Sequence, residues 1–423
     1  MGSVIEINPF TRVEGHGSVK LYLDGTRVER VELCLTESPR LFESLLVGRS
    51  YAEIPEIICR ICSLCSTIHK VTALLAVEKA FGVEVSQVTS LSRELIATGG
   101  LLQSHSLHLY CLLLPDLLGL RGVAELALAA PEQLKGGLAV KRAGNLIQET
   151  VGGRLIHPVN VTLGGLGHRV GRDALLQLRD ELEAVLPVCR EAFRLFSGSP
   201  PLPQLHLPYC LALDPAAPPL SGDRFRMTGG GSFPVEAYRD CLTESVLPYS
   251  HAKYARILGR EPTVGALARL NLGTSLGPGP GGAFETVKEE IVARDIRGNN
   301  VAQAVELFQA AERSLALIDQ LIAIGRDGAG NVKVAARNGR GTAACEAPRG
   351  TLIHSYAFDD AGICTEADVI TPTSLNQGAL SRDLLELARG MEGGDASQTG
   401  NALERLIRCY DPCISCSVHV VKL

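Results

Sequence analysis

The sequence predicts an α+β fold, predominantly α, built as a central bundle of long helices with small peripheral β-sheets. Two patterns carry that prediction. The first 36 residues alternate apolar and polar side chains, the period of a half-buried strand. From about residue 40 onward, apolar residues recur at three- and four-residue spacing, the period of an amphipathic helix. A third observation sets the character of the core. Apolar residues make up 46% of the chain but aromatics only 4%, with no Trp, so aliphatic side chains must fill the interior.

The elements follow in chain order. Residues 5–10 and 19–24 read as strands, Asp24 and Gly25 as a hairpin turn, and 28–35 as a third strand. Helical spacing then marks windows near 65–82, 91–114, 132–150, 172–197, 235–257, 300–325 and 380–391. Gly/Pro-rich stretches at 197–207, 214–233 and 271–283 read as surface excursions. No repeat, heptad array or flexible linker divides the chain. Residues 1–423 are therefore read as one domain, with an N-terminal β region (1–36), a helical body (40–400) and a C-terminal segment (401–423).

The charge balance excludes some classes of function. A net charge of −5 leaves no basic footprint for nucleic acid and no polybasic membrane patch. The most apolar stretch, 107–130, is interrupted by Pro115, Asp116 and Arg121, so no direct membrane span is expected. The N-terminus lacks a basic segment followed by an apolar one, which points to a cytoplasmic protein. In a reducing compartment its 13 cysteines read as core residues or metal ligands rather than disulfides.

Two Cys-x-x-Cys pairs stand out. Cys62 and Cys65 follow Arg60 and precede His69; Cys413 and Cys416 follow Asp411 and precede His419. The spacing lets two thiolates meet one metal. Cys62 and Cys413 are 351 positions apart, whereas a zinc ribbon joins its pairs within about 15–20 residues. Such a site is made by the whole fold. Four thiolates suit zinc, an iron–sulfur cluster, or nickel and iron.

At these residues the sequence resembles the large, catalytic subunits of [NiFe] hydrogenases, which carry Arg-x-Cys-x-x-Cys-x-x-x-His near the start and Asp-Pro-Cys-x-x-Cys-x-x-His at the end. The likeness runs through Arg12, Glu14 and His16; Gln103 and His105; Arg154, His157 and Pro158; Tyr249, His251 and Lys253; Arg269 and Asn271; Glu346, Pro348 and Arg349; and Pro372, Thr373 and Asn376. The resemblance implies reversible heterolytic cleavage of H2 into protons and electrons. Cys62 and Cys413 would be terminal nickel ligands, and Cys65 and Cys416 would bridge nickel to an iron carrying CO and two cyanides. Arg349 would lie over the metals, next to Pro348, and hydrogen-bond one cyanide. Thr373 would serve the other. Glu14 would receive the proton from a terminal thiolate, and Asp411 is the candidate canopy carboxylate. Glu43 and His419 would ligate a separate magnesium or iron ion. Heterolytic cleavage needs a Lewis acid and a nearby base, and these residue types supply both. No further cysteine set looks able to hold a cluster, so the electron relay is expected in a partner iron–sulfur small subunit.

Other residues have plainer readings. His105 and His108 are read as satisfied core histidines, Arg60 as orienting the metal loop, and the nine other cysteines as small packed hydrophobes. Ser63 stands where many relatives have Gly. Ser104 stands where the periplasmic uptake class has Asp, which points instead to the cytoplasmic multimeric class. That class passes electrons to NAD(P), ferredoxin or another soluble carrier through further diaphorase or carrier subunits. Residues 420–423 follow His419 and are read as a natural tail rather than a maturation extension. Two other functions were open: a structural zinc protein, and a non-hydrogenase subunit of the complex I type, which lacks the four cysteines.

Overall fold

A computed structural model of the chain describes residues 3–37, 41–198, 203, 205–214, 220–281, 283–292, 294–325 and 330–418. His419 and the tail after it lie outside the described residues, as do parts of the loops expected near 197–207 and 214–233.

The N-terminal strands Ser3–Ile7, Gly17–Asp24 and Arg27–Leu35 form an antiparallel meander. Asp24 pairs with Arg27 across a turn in which Gly25 sits at φ +61°, a conformation glycine adopts without a Cβ clash. Val19, Leu21, Leu33 and Leu35 face inward. They share a core with Leu380, Leu384, Leu403 and Leu406 of the last two helices.

Seven long helices carry most of the rest: α1 (Ser66–Phe81), α2 (Gln87–Ser106), α3 (Pro131–Gly152), α4 (Arg172–Phe196), α5 (Gly298–Ile324), α6 (Pro372–Gly390) and α7 (Ala396–Cys409). Their ends follow local chemistry. The Ser86 hydroxyl caps α2 by accepting from the Thr89 N–H, Thr371 caps α6, and Asp395 caps α7. Pro131 opens α3 and left-handed Gly153 closes it. Helix α2 packs on α3 and α5, and α4 packs on the same two helices. Beyond Ser106, α2 continues as a π-helical stretch, Leu107–Leu113. No helix among the described residues is long and apolar enough to cross a membrane.

Three features depart from the sequence reading. The window 235–257 is not a helix. After short helical turns through Cys241 it forms an antiparallel hairpin, Leu242–Val246 with Lys253–Ile257. Buried Leu242, Ala255 and Ile257 fit a pleated strand as well as a helical stripe, and Pro248 breaks a helix at the turn between the strands. Helix α7, unmarked by the apolar windows, packs on α6. Within the stretch read as a helical body lies a four-stranded antiparallel sheet. It runs Cys364–Ile370, Gly350–Phe358, Gly339–Ala347 and then the short strand Ser221–Gly222. The two central strands, Gly339–Ala347 and Gly350–Phe358, are buried on both faces, so alternation is absent from their sequence. The sheet lies against α1. A Cβ on Gly341 would come within 2.0 Å of the Ala76 carbonyl oxygen, so only glycine permits that contact.

Candidate metal centre

The two ends of the chain are laced together at one place. Glu14 pairs with Cys413 in a parallel bridge, and the Ile414 N–H donates to the Glu14 carbonyl at 3.1 Å. Cys413 precedes a single helical turn, Ile414–Ser417, while Cys65 sits at the N-cap of α1. The four sulfurs of Cys62, Cys65, Cys413 and Cys416 lie within 4.8 Å of one another, all buried. Individual separations are 3.4 Å (Cys62–Cys413), 3.8 Å (Cys65–Cys413) and 3.0 Å (Cys413–Cys416). None forms a disulfide.

The sulfurs share their protons. Hydrogen bonding with Cys413 and Cys416 pulls Cys62 and Cys65 below the usual thiol range; burial pushes Cys413 and Cys416 above it. Cysteines elsewhere behave differently. Burial, the dominant cause, takes Cys189 and Cys345 up to about 12 and Cys59 to about 11, as for small hydrophobes. Soft donors this close and this dry fit a thiophilic metal or a pair of metals. Beside them opens a small cavity walled by Ile68, Leu352, Arg349 and Thr373.

Arg349 stands over the sulfurs on a two-residue turn, because Ala347 pairs with Gly350 across it. Gly350 adopts φ +128°, and a Cβ there would meet Val264 at 2.5 Å. Every guanidinium nitrogen is engaged. Nε donates to the Asp411 carbonyl (2.8 Å), Nη2 to the Asp411 carboxylate (3.2 Å), and Nη1 to Ser104 Oγ (3.2 Å) and Cys65 Sγ (3.5 Å). Asp411 itself is held left-handed, at φ +48°, just before Pro412, and its second oxygen accepts from Gln303 Nε2 at 3.1 Å. The Pro348 carbonyl accepts from Arg269 (3.3 Å), a buried side chain also held by Glu306 and Glu346. Thr373, in the first turn of α6, accepts the Cys413 N–H at 3.0 Å.

Glu14 lies beside the first cysteine of each pair. Its carboxylate accepts from the Ser415 N–H (3.1 Å) and hydroxyl (2.5 Å) and reaches Cys413. Burial and the neighbouring Cys62 raise its pKa. The chain continues outward: Ser415 Oγ also reaches Glu37 (3.2 Å), which approaches exposed His16 (3.4 Å).

Glu43 accepts from Lys253 Nζ and the Val369 N–H, each at 2.9 Å. Its expected co-ligand His419 is outside the described residues, although Val418 bridges Ala252, next to Lys253. His105 binds Glu306 (2.8 Å) and His108 binds Gln303 and the Arg408 carbonyl, so both are buried hydrogen-bonding groups away from the sulfurs. Arg60 donates to the Glu56 carbonyl at the surface. Sequence reasoning gave no role to Ser415, Glu37, Gln303 or His354. His69 had a signal, its spacing after Cys65, and its Nε2 lies 3.7 Å from Cys416 Sγ.

The model of the family described as "Nickel-dependent hydrogenase" matches residues 40–139 and 236–419, and one described as "HoxL-like" matches 4–37. Sulfhydrogenase 2 subunit alpha of Pyrococcus furiosus is 34% identical over 99% of this chain and 100% of its own length. The NAD-reducing hydrogenase HoxS subunit beta of Cupriavidus necator is 29% identical over 100% and 96%. Among solved structures, an NAD+-reducing [NiFe]-hydrogenase in the H2-reduced state superposes with a TM-score of 0.89. It is 27% identical, over 99% of both chains.

Proposed function

This chain belongs to the nickel-dependent hydrogenase family, as a catalytic large subunit acting on H2, and from that premise we propose how its residues divide the work. Cys62, Cys65, Cys413 and Cys416 hold nickel and an iron bearing CO and two cyanides. When bound, that centre supplies the Lewis acid that polarises H2. The carrying observation is the cluster of four buried sulfurs, drawn from both ends of the chain and lying under a fixed guanidinium.

The first and second cysteines of each pair have different surroundings, and that supports a division of roles. Glu14 faces Cys413 and Cys62, the first cysteine of each pair, in keeping with terminal nickel ligands that release a proton. Arg349 and His69 face Cys65 and Cys416, the second of each pair, in keeping with bridging ligands that stay deprotonated. Glu14 accepts the proton at its carboxylate. Burial and Cys62 raise its pKa, which favours its taking up a proton, and Ser415 and Glu37 offer an outward path. Arg349, with Pro348 beside it, and Thr373 line the cavity where small diatomic ligands fit. Asp411 fixes Arg349 in place.

Glu43 and His419 serve a separate magnesium or iron ion. Electrons leave through an iron–sulfur small subunit. Further diaphorase or carrier subunits pass them to NAD(P), ferredoxin or another soluble carrier in the cytoplasm, in line with the NAD-reducing relative. Elemental analysis with infrared spectroscopy of the assembled enzyme tests the reading. Nickel and iron together, with CO and cyanide bands, are expected; zinc alone, without those bands, overturns it.

A further inference from the structure

Strand Gly350–Phe358 places Leu352, His354, Tyr356 and Phe358 on one face by its two-residue period. That face packs on α1, which carries His69. Three buried side chains then form a single file. Tyr356 Oη lies 2.7 Å from His354 Nδ1, His354 Nε2 lies 3.1 Å from His69 Nδ1, and His69 Nε2 lies 3.7 Å from Cys416 Sγ. His354 and Tyr356 are both 0% exposed.

The direction of every hydrogen in this file follows from its end. A thiolate that ligates metal has no proton, so it only accepts. His69 must therefore present Nε2–H to Cys416, which leaves a lone pair on Nδ1 of the neutral ring. His354 must donate to that lone pair from Nε2, which leaves its own Nδ1 as an acceptor. The Tyr356 hydroxyl, 2.7 Å away, donates to it. For neutral rings these contacts select one tautomer at each. Outer partners of this kind set ligand orientation and basicity at metal sites.

We propose that His354 and Tyr356 are positioning residues. They lock His69 in the Nε2–H tautomer that hydrogen-bonds the Cys416 thiolate, and so draw electron density away from the metals. The inference rests on the metal reading above. Without the Tyr356 hydroxyl, His354 loses the partner that selects its tautomer, and His69 is free to turn a lone pair toward the sulfur.

The test compares wild-type and Tyr356→Phe enzyme, purified with its partner subunits. Metal content, the infrared CO band and histidine-selective 15N NMR are read on each. In Tyr356→Phe the expectation is unchanged nickel and iron, a CO band at lower wavenumber, and loss of the Nε2–H signature of His69. His354→Leu should shift the band the same way. His354→Gln, whose amide N–H can still donate to His69, should move it back toward wild type. A Tyr356→Phe enzyme with unshifted CO band and unchanged 15N signals overturns the proposal. Failure of the metal reading looks different: the wild type itself would then lack the CO band.

Discussion

The contact between Arg349 and Asp411 allows the sharpest quantitative test. Both side chains are about 96–97% buried, and the carboxylate accepts from Nη2 at 3.2 Å while also accepting from Gln303. A hydrogen bond to a charged group contributes about 1.5–3 kcal/mol, roughly twice a neutral one. Asp411→Asn keeps an acceptor oxygen and the backbone carbonyl that binds Nε. It should therefore forfeit about half of that contribution, on the order of 1 kcal/mol. Asp411→Leu removes the acceptor altogether and leaves a buried guanidinium without its carboxylate, a change that costs about 3–5 kcal/mol. If Arg349 acts from a fixed position over the sulfurs, this loss appears in kcat/KM for H2-dependent dye reduction at tenfold per 1.36 kcal/mol. The expected falls are about fivefold for Asn and 10²-fold or more for Leu. Metal content must be measured alongside. Two fully loaded variants with equal activities, or a Leu variant as active as wild type, would refute the claim that Asp411 holds the guanidinium for catalysis.

Other expectations follow from the same geometry. Cys416→Ser should abolish nickel retention and H2-dependent dye reduction, and persisting turnover would refute its assignment as a ligand. Thr373→Val leaves the buried Cys413 N–H without its acceptor; a loss of about 1–3 kcal/mol in resistance to denaturant is expected, and an unchanged midpoint counts against it. Ser415→Ala removes the hydroxyl shared by Glu14 and Glu37, so proton-coupled turnover should slow while metal content holds, and equal rates at all pH values would discount that path. Burial pushes the Glu306 carboxyl up, but Arg269 and His105 outweigh it and bring the pKa down to about 2. Because this pKa is depressed on folding, the stability it contributes is complete above the ordinary carboxylate range and lost as pH falls from about 4.5 toward 2. Glu306→Gln should flatten that acid limb in unfolding half-lives, and an unaltered limb would contradict it.

The parts of the molecule that the sequence made legible are those governed by local rules. The N-terminal strands alternate because one face is solvated and the other covers α6 and α7. The cysteine spacing was readable because two thiolates on one turn can reach one ion. What stayed hidden depends on burial from two sides. The two central strands of the sheet bearing Arg349 and His354 are closed on both faces, so buried polar residues such as Glu346 and His354 stand among apolar ones without alternation. That pattern is indistinguishable from a buried helix. The hairpin at 242–257 failed for a related reason, since a few apolar residues satisfy both periods at once. Ser415, Gln303 and Glu37 are ordinary polar residues whose role exists only through contacts across the fold.

The same contrast explains why the centre sits where the chain begins and ends. Joining Cys62 to Cys413 closes a loop of about 350 residues, and loop closure costs only slowly more with length. The larger demand is angular precision at the C-terminal strand of sulfurs, and that is met by contacts spread along the chain. The Arg408 guanidinium binds Asp116, the Arg408 carbonyl meets His108, and the Cys409 carbonyl accepts from Asn299. Tyr410 donates to Asp383, Asp411 holds Arg349, the Cys413 N–H binds Thr373, and Ser415 binds Glu14. Six successive positions or near neighbours are thus tied to α5, α6, the π-helical stretch, the four-stranded sheet and the N-terminal segment. These ties anchor the segment to different parts of the fold. The placement of Cys413 and Cys416 is therefore a readout of the completed fold. A lesion at Asp116 or Asn299 should reach the centre through Arg408 or Cys409, among the residues each holds.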